Sequence, residues 1–212
     1  MSLLVCDNLT LGYDGHTVVT GLSFRVNKGD YICIAGENGS GKTTLMKTLL
    51  HLTPLLGGRI EMGENFSSED IGYLPQQKQS QKDFPASVYE IVLSGTLGSL
   101  ANRFFYGKKE KKRAHISMEK MGISNLKNES FQNLSGGQQQ RVLLARAFCA
   151  AKKMMFLDEP VSGLDPKFAY EMYELIHKIN KEEKTTILMI SHDIRVLEYA
   201  DYVLHIGEEI YF

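Results

Sequence analysis

The most constraining feature of this 212-residue sequence is a glycine-rich segment that joins an apolar run to a helical pattern. The segment is Gly36-Glu37-Asn38-Gly39-Ser40-Gly41-Lys42-Thr43; residues 31–35 before it are apolar, and a helical pattern runs from 42 to 51. A glycine, four residues and Gly-Lys-Thr in this setting are typical of a phosphate-binding loop, in which backbone N–H groups and a helix N-terminus surround a phosphate. A flexible turn without a ligand is the alternative.

In a loop of this kind the lysine bridges the β- and γ-phosphates of a nucleotide, and the threonine hydroxyl binds Mg²⁺. The sequence therefore predicts a site for a nucleoside triphosphate at this segment. The predicted nucleotide-binding residues here are Gly36, Asn38, Gly39, Ser40, Gly41, Lys42, Thr43 and Thr44.

Composition excludes several classes of protein. The 24 Lys and Arg residues balance 25 Asp and Glu residues, which argues against a surface that clamps nucleic acid through charge alone. Three scattered cysteines, Cys6, Cys33 and Cys149, form neither a disulfide framework nor a paired zinc motif, and they favour a reducing, cytoplasmic compartment. No apolar stretch approaches the ~18–20 residues that span a bilayer, so any membrane role requires a partner.

Two adjacent carboxylates follow a second apolar run. Residues 154–157 are Met-Met-Phe-Leu, and Asp158 and Glu159 come directly after them. This is the form of a buried strand that ends at a nucleotide, where Asp158 would hold the Mg²⁺ shell and Glu159 would act as general base toward the attacking water. A strand that ends at a charged surface turn is the alternative, but the phosphate loop favours the catalytic interpretation.

A second candidate anion site lies at Leu134-Ser135-Gly136-Gly137-Gln138, immediately before another helical pattern. The backbone amides of Ser135, Gly136, Gly137 and Gln138 would form the N-terminus of that helix, which attracts negative charge. A helix cap without a ligand is the alternative. One chain would then carry two phosphate sites.

The order of strand-like and helical runs divides the chain into three zones. Residues 1–35 are predicted as antiparallel β structure, with a polar turn at 27–30 that reverses the chain into the run 31–35. Residues 78–133 are predicted as helical: Ser87 and Glu90 form a capping-box pattern after Pro85, so a helix should run from 88 to about 97, and a second from 108 to 121.

The core pattern resumes after this insertion. A short hairpin strand is predicted at 59–62 and another strand at 71–74, both before the insertion. After it, the predicted elements are strands at 154–157, 186–190 and near 203–206, and helices over 138–151 and from the cap Asp165-Pro166. The fold class is therefore α/β: a phosphate-loop core with a mainly parallel sheet, an N-terminal antiparallel β subdomain and an inserted helical subdomain. We predict one domain over 1–212, with the core at 1–77 and 134–212 and the helical subdomain at 78–133.

Taken together, the phosphate loop, the Leu-Ser-Gly-Gly-Gln segment and the Phe-Leu-Asp-Glu-Pro segment at 156–160 resemble the nucleotide-binding subunit of the ATP-binding-cassette family over nearly the whole chain. The resemblance implies further roles. Tyr13 would stack on adenine, Gln76 would touch Mg²⁺ and water, and His192 would contact the γ-phosphate. Gln77 competes for the role of Gln76, and the loop at 162–165 would cross a dimer interface. The implied catalytic residues are Glu159, His192 and Gln76, and the implied metal ligands are Thr43, Gln76 and Asp158.

The resemblance also implies partners. Two copies of the chain would close around two ATP molecules with Mg²⁺, and hydrolysis would reopen them. The segments at 73–77 and 83–88 resemble the ATPases of zinc and manganese importers, which implies integral-membrane permease subunits, an extracytoplasmic solute-binding protein and a peripheral place on the cytoplasmic face of the cell membrane. Phe84, Pro85 and the helix after them would line the permease groove beside Gln76. Subunits of this family commonly continue past the position of Phe212, so a shortened or a minimal form stays open.

Other functions of the same motifs also stay open. An ATPase that imports another cargo, or that regulates cell-wall or lipid machinery through a membrane partner, would keep every motif named above. DNA-repair ATPases of this type need a long coiled-coil insertion, and translation-associated ones need two tandem copies, neither of which 212 residues provide. The basic run at 108–113 is interpreted as the solvated face of a helix, and no nucleic-acid partner is expected.

Overall fold

The computed structural model describes residues 2–13, 15–76, 85–100 and 105–207. Gln77, Phe84 and Phe212, which the sequence interpretation also used, lie outside these ranges. The strands in chain order are β1 (Ser2–Tyr13), β2 (His16–Asn27), β3 (Tyr31–Ala35), β4 (Gly57–Met62), β5 (Ile71–Leu74), β6 (Met154–Asp158), β7 (Thr186–Ile190) and β8 (Tyr202–His205). The α-helices are α1 (Lys42–Leu49), α2 (Val88–Ser94), α3 (Lys108–Lys120), α4 (Gly136–Ala150) and α5 (Pro166–Glu183).

The strands form two sheets. A three-stranded antiparallel sheet has the order β2-β1-β4, and a five-stranded sheet has the order β5-β6-β7-β3-β8 with all of its strands parallel. The predicted combination of a parallel core sheet, an antiparallel β flank and helices is confirmed.

The prediction that the turn at 27–30 reverses the chain within the antiparallel unit is wrong. β3 pairs in parallel with β7 and β8, so the turn carries the chain from one sheet to the other. Four of the five residues of β3 are buried, as expected for a strand covered on both faces, whereas β2 alternates between exposed and buried residues. The turn is attached to β7: Gly29 N donates to Thr186 Oγ1 over 2.8 Å, and Ile187 N donates to Asp30 O over 2.8 Å.

One apolar cluster joins the two sheets around α1. The side chains of Leu45, Met46 and Leu49 on α1 are fully buried, and they pack with residues of β1, β2, β3, β6, β7 and β8. This packing fixes the phosphate loop, because the loop lies between the end of β3 and the start of α1.

A second apolar cluster joins the other face of the parallel sheet to α2, α3, α4 and α5. The capping box of α2 is present: Ser87 N donates to Glu90 Oε2 over 2.8 Å, and Glu90 N donates to Ser87 Oγ over 3.3 Å. α2 ends at Ser94, earlier than predicted, and a 3₁₀ turn follows at Leu97–Leu100. The limits of the helical subdomain at 78 and 133 stay a prediction. The lysines of the basic run, Lys108, Lys109, Lys111 and Lys112, are exposed.

α4 approaches the parallel sheet very closely at Gly72. A Cβ atom on Gly72 would lie 1.9 Å from the carbonyl oxygen of Ala147 in α4. β5 can therefore carry only glycine at this point if α4 keeps its position.

Among the described residues, no helix combines the length and apolar character that crossing a membrane requires.

We expect Gly72→Ala to lower the free energy of unfolding by about 1–3 kcal/mol, the usual cost of overpacking, because the added methyl group overlaps the Ala147 carbonyl. Gly98→Ala is the matched control: Gly98 is exposed in the 3₁₀ turn, and no described atom beyond its chain neighbours lies within 4 Å of its Cβ position. Its effect should stay within about 0.5 kcal/mol. Urea unfolding followed by circular dichroism measures the free energy of unfolding of both variants. If the two variants were equally stable, the close approach of α4 to Gly72 would be contradicted.

Candidate functional site

The phosphate loop turns sharply into α1 at Gly41. Gly41 is the N-cap of α1 and has a φ of 100°, a left-handed conformation that favours glycine. A Cβ atom there would lie 2.5 Å from Cγ2 of Val19 in β2. The antiparallel sheet therefore packs directly against the loop.

Lys42 lies inside the loop. Its Nζ donates to the carbonyl oxygens of Gly36 and Glu37 over 2.8 and 2.6 Å, and the residue is buried. Burial lowers the pKa of Lys42, an effect that the carboxylates of Glu159 and Asp158 oppose. The Oγ atom of Ser40 in the same loop is buried without a hydrogen-bond partner among the described residues. The loop thus holds a cation and a polar hydroxyl where a phosphate would need them.

Asp158 lies at the end of β6, opposite the start of α1. Oγ1 of Thr43 and Oδ2 of Asp158 are 3.5 Å apart, and Asp158 is buried. Burial raises the pKa of Asp158, while the hydrogen bond from Thr43 and the charges of Lys47 and Lys42 lower it. The contribution of Lys47 was not predicted; its position one turn after Thr43 on α1 is the signal that could have found it.

Glu159 adopts a left-handed backbone conformation, with a φ of 52°, that few residues other than glycine adopt. Its N–H donates to the carbonyl of Ile190 at the end of β7 over 3.0 Å. Oε1 of Glu159 lies 3.2 Å from Nε2 of His192, a contact that becomes an ion pair when the imidazole is protonated. The His192 side chain is half exposed, so it is not a core histidine.

The electrostatics around Glu159 favour proton transfer. Burial is the main reason why the pKa of Glu159 is raised, and the charge of Asp158 raises it further, while His192 and Lys42 lower it. A carboxylate with a raised pKa is a stronger base near neutral pH than an ordinary glutamate. The arrangement can therefore accept a proton from a water molecule beside His192.

One cavity of about 190 Å³ gathers most of the predicted residues. It is lined by Tyr13, Asn38, Gly39, Gly41, Lys42, Thr43, Thr44, Gln76, Asp158, Glu159, Ile190 and His192. Tyr13 is more than half exposed at the tip of the β1–β2 hairpin, as a platform open to a base would be. Sequence reasoning missed Ile190; its place as the last residue of a buried strand could have indicated it.

The residues Ser135, Gly136, Gly137 and Gln138 lie outside this cavity. Ser135 is the N-cap of α4, and a capping box joins it to Gln138: Ser135 N donates to Gln138 Oε1 over 3.0 Å, and Gln138 N donates to Ser135 Oγ over 3.4 Å. The ring of Phe168 on α5 covers Gly137, because a Cβ atom there would lie 3.0 Å from Cδ1 of Phe168. The N-termini of α1 and α4 are therefore two separate candidate anion sites on one chain.

The loop at 162–165 connects Glu159 to α5. Asp165 caps α5, since its Oδ1 accepts from the N–H groups of Lys167 and Phe168 over 3.0 and 3.2 Å, as predicted. Nε2 of Gln140 on α4 donates to the carbonyl of Pro160 over 2.5 Å. This bond joins the helix after the Ser-Gly-Gly turn to the segment that follows Glu159.

A second cavity, of about 400 Å³, lies next to the first and is here called the subdomain groove. It is lined by Tyr73, Leu74, Pro75, Ala86, Glu90, Ile91, Ser94, Phe131, Leu143 and Arg146. Pro75 lines this groove and Gln76 lines the first cavity. Consecutive residues therefore connect the two sites.

No group of three His, Cys, Asp or Glu side chains in the described ranges is arranged to hold a metal ion.

Comparison with known proteins identifies the family. A family model for the ABC transporter matches residues 19–162. The zinc transport system ATP-binding protein TroB of Treponema pallidum is 38% identical over 202 residues, which cover 93% of this chain and 76% of that protein. The manganese transport system ATP-binding protein MntB of Bacillus subtilis is 36% identical over 202 residues, 93% of this chain and 80% of that protein.

Solved structures agree with this assignment. An ABC transporter in an inward-facing conformation superposes with a TM-score of 0.87 at 29% identity, over 100% of this chain and 83% of that one. An ATP-binding cassette of an ABC transporter in its ADP conformation superposes with a TM-score of 0.84 at 27% identity, over 100% of this chain and 90% of that one. The chain therefore belongs to the ABC transporter family, as a subunit that hydrolyses ATP.

Proposed function

We propose that this chain is the motor subunit of a metal importer, which closes as a homodimer around two molecules of ATP with Mg²⁺ and drives a membrane permease. The observation that carries the proposal is the cavity where Lys42, Gln76, Asp158, Glu159 and His192 meet. The phosphate loop, the carboxylates, the glutamine and the histidine come from four separate segments of the chain, and only their convergence makes a site for ATP hydrolysis.

Nucleotide binding is the role proposed for the loop and for Tyr13. Lys42 leaves the carbonyls of Gly36 and Glu37 to bridge the β- and γ-phosphates, and Ser40 Oγ becomes available to a phosphate oxygen. Tyr13 offers its exposed ring to the adenine. Gly36, Asn38, Gly39, Gly41 and Thr44 complete the cradle.

The residues near Thr43 fit a Mg²⁺ ion. The Thr43 hydroxyl and the Asp158 carboxylate lie 3.5 Å apart at the mouth of the loop, and Gln76 lines the same cavity. Oxygen donors of this kind are the ligands that Mg²⁺ prefers, usually together with phosphate oxygens. When bound, the ion neutralises charge on the β- and γ-phosphates. Thr43, Asp158 and Gln76 would hold it.

The hydrolytic step is assigned to Glu159, with His192 and Gln76 beside it. The raised pKa of Glu159 supports its role as general base, because it must accept a proton from the attacking water. His192, 3.2 Å away, orients the carboxylate and reaches toward the γ-phosphate. Gln76 helps to place the water.

Dimerisation is proposed from the separation of the two anion sites. Ser135, Gly136, Gly137 and Gln138 form a helix N-terminus outside the cavity of their own chain. A second copy would bring this turn to the phosphates of the first copy's nucleotide, and the reverse contact would follow by symmetry. ATP would then hold the dimer closed, and hydrolysis would release it.

Coupling to the membrane is proposed for the subdomain groove. Its lining is mostly apolar, it lies between the parallel sheet and α2, and Pro75 connects it to Gln76. A short permease helix with an apolar face fits a groove of this kind. The chain would act as a peripheral subunit on the cytoplasmic face of the cell membrane, together with an extracytoplasmic solute-binding protein. The names of the zinc and manganese relatives support a divalent metal as the cargo.

Nucleotide titrations test the binding site. We expect Lys42→Ala to raise the Kd for Mg-ATP by about tenfold or more, because the phosphates lose a charge-assisted contact. Tyr13→Ala should cost about 1–3 kcal/mol for ATP and GTP alike, since a ring stacks on any base. Tyr202→Ala is the matched control, as Tyr202 is an equally exposed strand tyrosine outside the cavity. Unchanged titrations for the first two variants would remove Lys42 and Tyr13 from the site.

The closed dimer can be trapped. We expect the wild-type chain to elute mostly as a monomer in size-exclusion chromatography, because hydrolysis removes the ATP that joins two copies. Glu159→Gln keeps the shape of the side chain but loses the base, so with ATP and Mg²⁺ it should elute as a dimer. Glu129→Gln, an exposed glutamate outside the cavity, should behave as wild type. Hydrolysis by Glu159→Gln at the wild-type rate would shift the catalytic role to Gln76 or His192.

Growth experiments test the cargo and the groove. Deleting the gene should impair growth when zinc or manganese is scarce, and adding the metal should restore it. Ala86→Glu places a charge in the groove, so it should bind ATP normally yet fail to restore growth of the deletion strain. Leu97→Glu, at an exposed position outside the groove, should restore it. Normal growth of the deletion strain under zinc and manganese chelation would overturn the proposed metal cargo but would leave the assignment as an ATPase unaffected.

A further inference from the structure

The residue before His192 is held by a buried tyrosine of α5. The hydroxyl of Tyr173 and Oγ of Ser191 are 3.1 Å apart, and both residues are buried. Oγ of Ser191 also accepts the N–H of Asp193 over 3.1 Å. One serine hydroxyl therefore connects α5 to the backbone on the far side of His192.

The residue after His192 is attached to the same helix by a second route. Nε of Arg195 donates to both carboxylate oxygens of Asp193 over 2.9 Å, and Nη1 of Arg195 donates to the carbonyl of Pro166 over 3.2 Å. Pro166 is the first residue of α5. His192 thus sits between two residues that are both tied to α5, while its own side chain is half exposed and free to face Glu159.

Packing alone does not account for a tyrosine at position 173. The side chain is fully buried in the apolar cluster between α5 and the parallel sheet, where an aliphatic residue or phenylalanine would fill the space. A buried hydroxyl costs stability unless it is hydrogen-bonded. Burial raises the pKa of Tyr173 well above its usual range, and the nearby carboxylate of Asp193 adds to the rise. Neither Tyr173 nor Ser191 lines the nucleotide cavity.

We propose that Tyr173 is a positioning residue for ATP hydrolysis: its hydrogen bond to Ser191 fixes the backbone around His192 and so holds the imidazole against Glu159. This inference rests on the role proposed above for His192. Tyr173 acts through Ser191 and touches neither the nucleotide nor the water. Loss of its hydroxyl should therefore affect the chemical step and leave nucleotide binding unchanged.

The first experiment compares two tyrosine-to-phenylalanine variants of the full chain in steady-state ATPase assays with Mg-ATP. Tyr173→Phe keeps the ring and should lower kcat by about 3- to 10-fold, the effect of losing one hydrogen bond, with KM for ATP unchanged. Tyr199→Phe is the control: its ring stacks on Tyr173 at 5.9 Å, but its hydroxyl donates to Glu174, away from His192. Its kcat should stay within about twofold of wild type.

The second experiment separates positioning from a general loss of structure. In a His192→Ala background, Tyr173→Phe should have no further effect on kcat, because the side chain to be positioned is gone. Ser191→Ala should reproduce the effect of Tyr173→Phe, and Ser191→Thr, which keeps the hydroxyl, should restore kcat. A merely structural tyrosine would lower kcat equally in both backgrounds.

The outcomes distinguish the two proposals. A wild-type kcat for Tyr173→Phe, or an equal loss with and without His192, would overturn the positioning role while the ATPase assignment stands. A His192→Ala variant as active as wild type would overturn the role of His192, and the positioning role with it. An inactive wild-type chain would overturn the proposed function itself.

Discussion

The parallel pairing of β3, β6 and β7 is the constraint on which the site depends. In the register of the sheet, Ile34 of β3 and Asp158 of β6 both stand opposite Ile190 of β7, so the three strands end at the same level. Each strand is followed by residues of the proposed site: the phosphate loop after β3, Glu159 after β6 and His192 after β7. Because the carboxyl ends of parallel strands share one edge, the sheet itself brings these groups together.

The buried charges at this edge are stable only as a group. Desolvation lowers the pKa of Lys42 and raises the pKa values of Asp158 and Glu159, and in each case charges of the opposite sign nearby act against the shift. A single buried charge would cost far more than a compensated set. The same burial that makes the set costly also makes Glu159 more basic than an ordinary glutamate, as its proposed role requires.

Local chemistry could be predicted from the sequence, and contacts between distant segments could not. The capping residues Ser87 and Asp165 and the glycine-rich loop act over three to eight neighbouring residues, so their pattern is visible in the chain. The place of β3 in the parallel sheet depends on its pairing with β7 and β8, and the bond from Gly29 to Thr186 just before it spans 157 residues. The contact of Tyr173 with Ser191 likewise joins a helix to the end of a strand. Neither pairing has a sequence pattern, because each is selected only by the packing of the assembled sheets and helices.

The backbone of Glu159 shows how the end of one strand places two neighbouring side chains against different partners. A left-handed conformation at a residue other than glycine costs on the order of 1 kcal/mol, and here the hydrogen bond from Glu159 N to Ile190 O offsets that cost. This bond extends the β6–β7 ladder by one step beyond Asp158. Asp158 therefore keeps the direction of the strand and faces Thr43, while Glu159 turns away from it and faces His192. Two adjacent carboxylates thereby serve different partners.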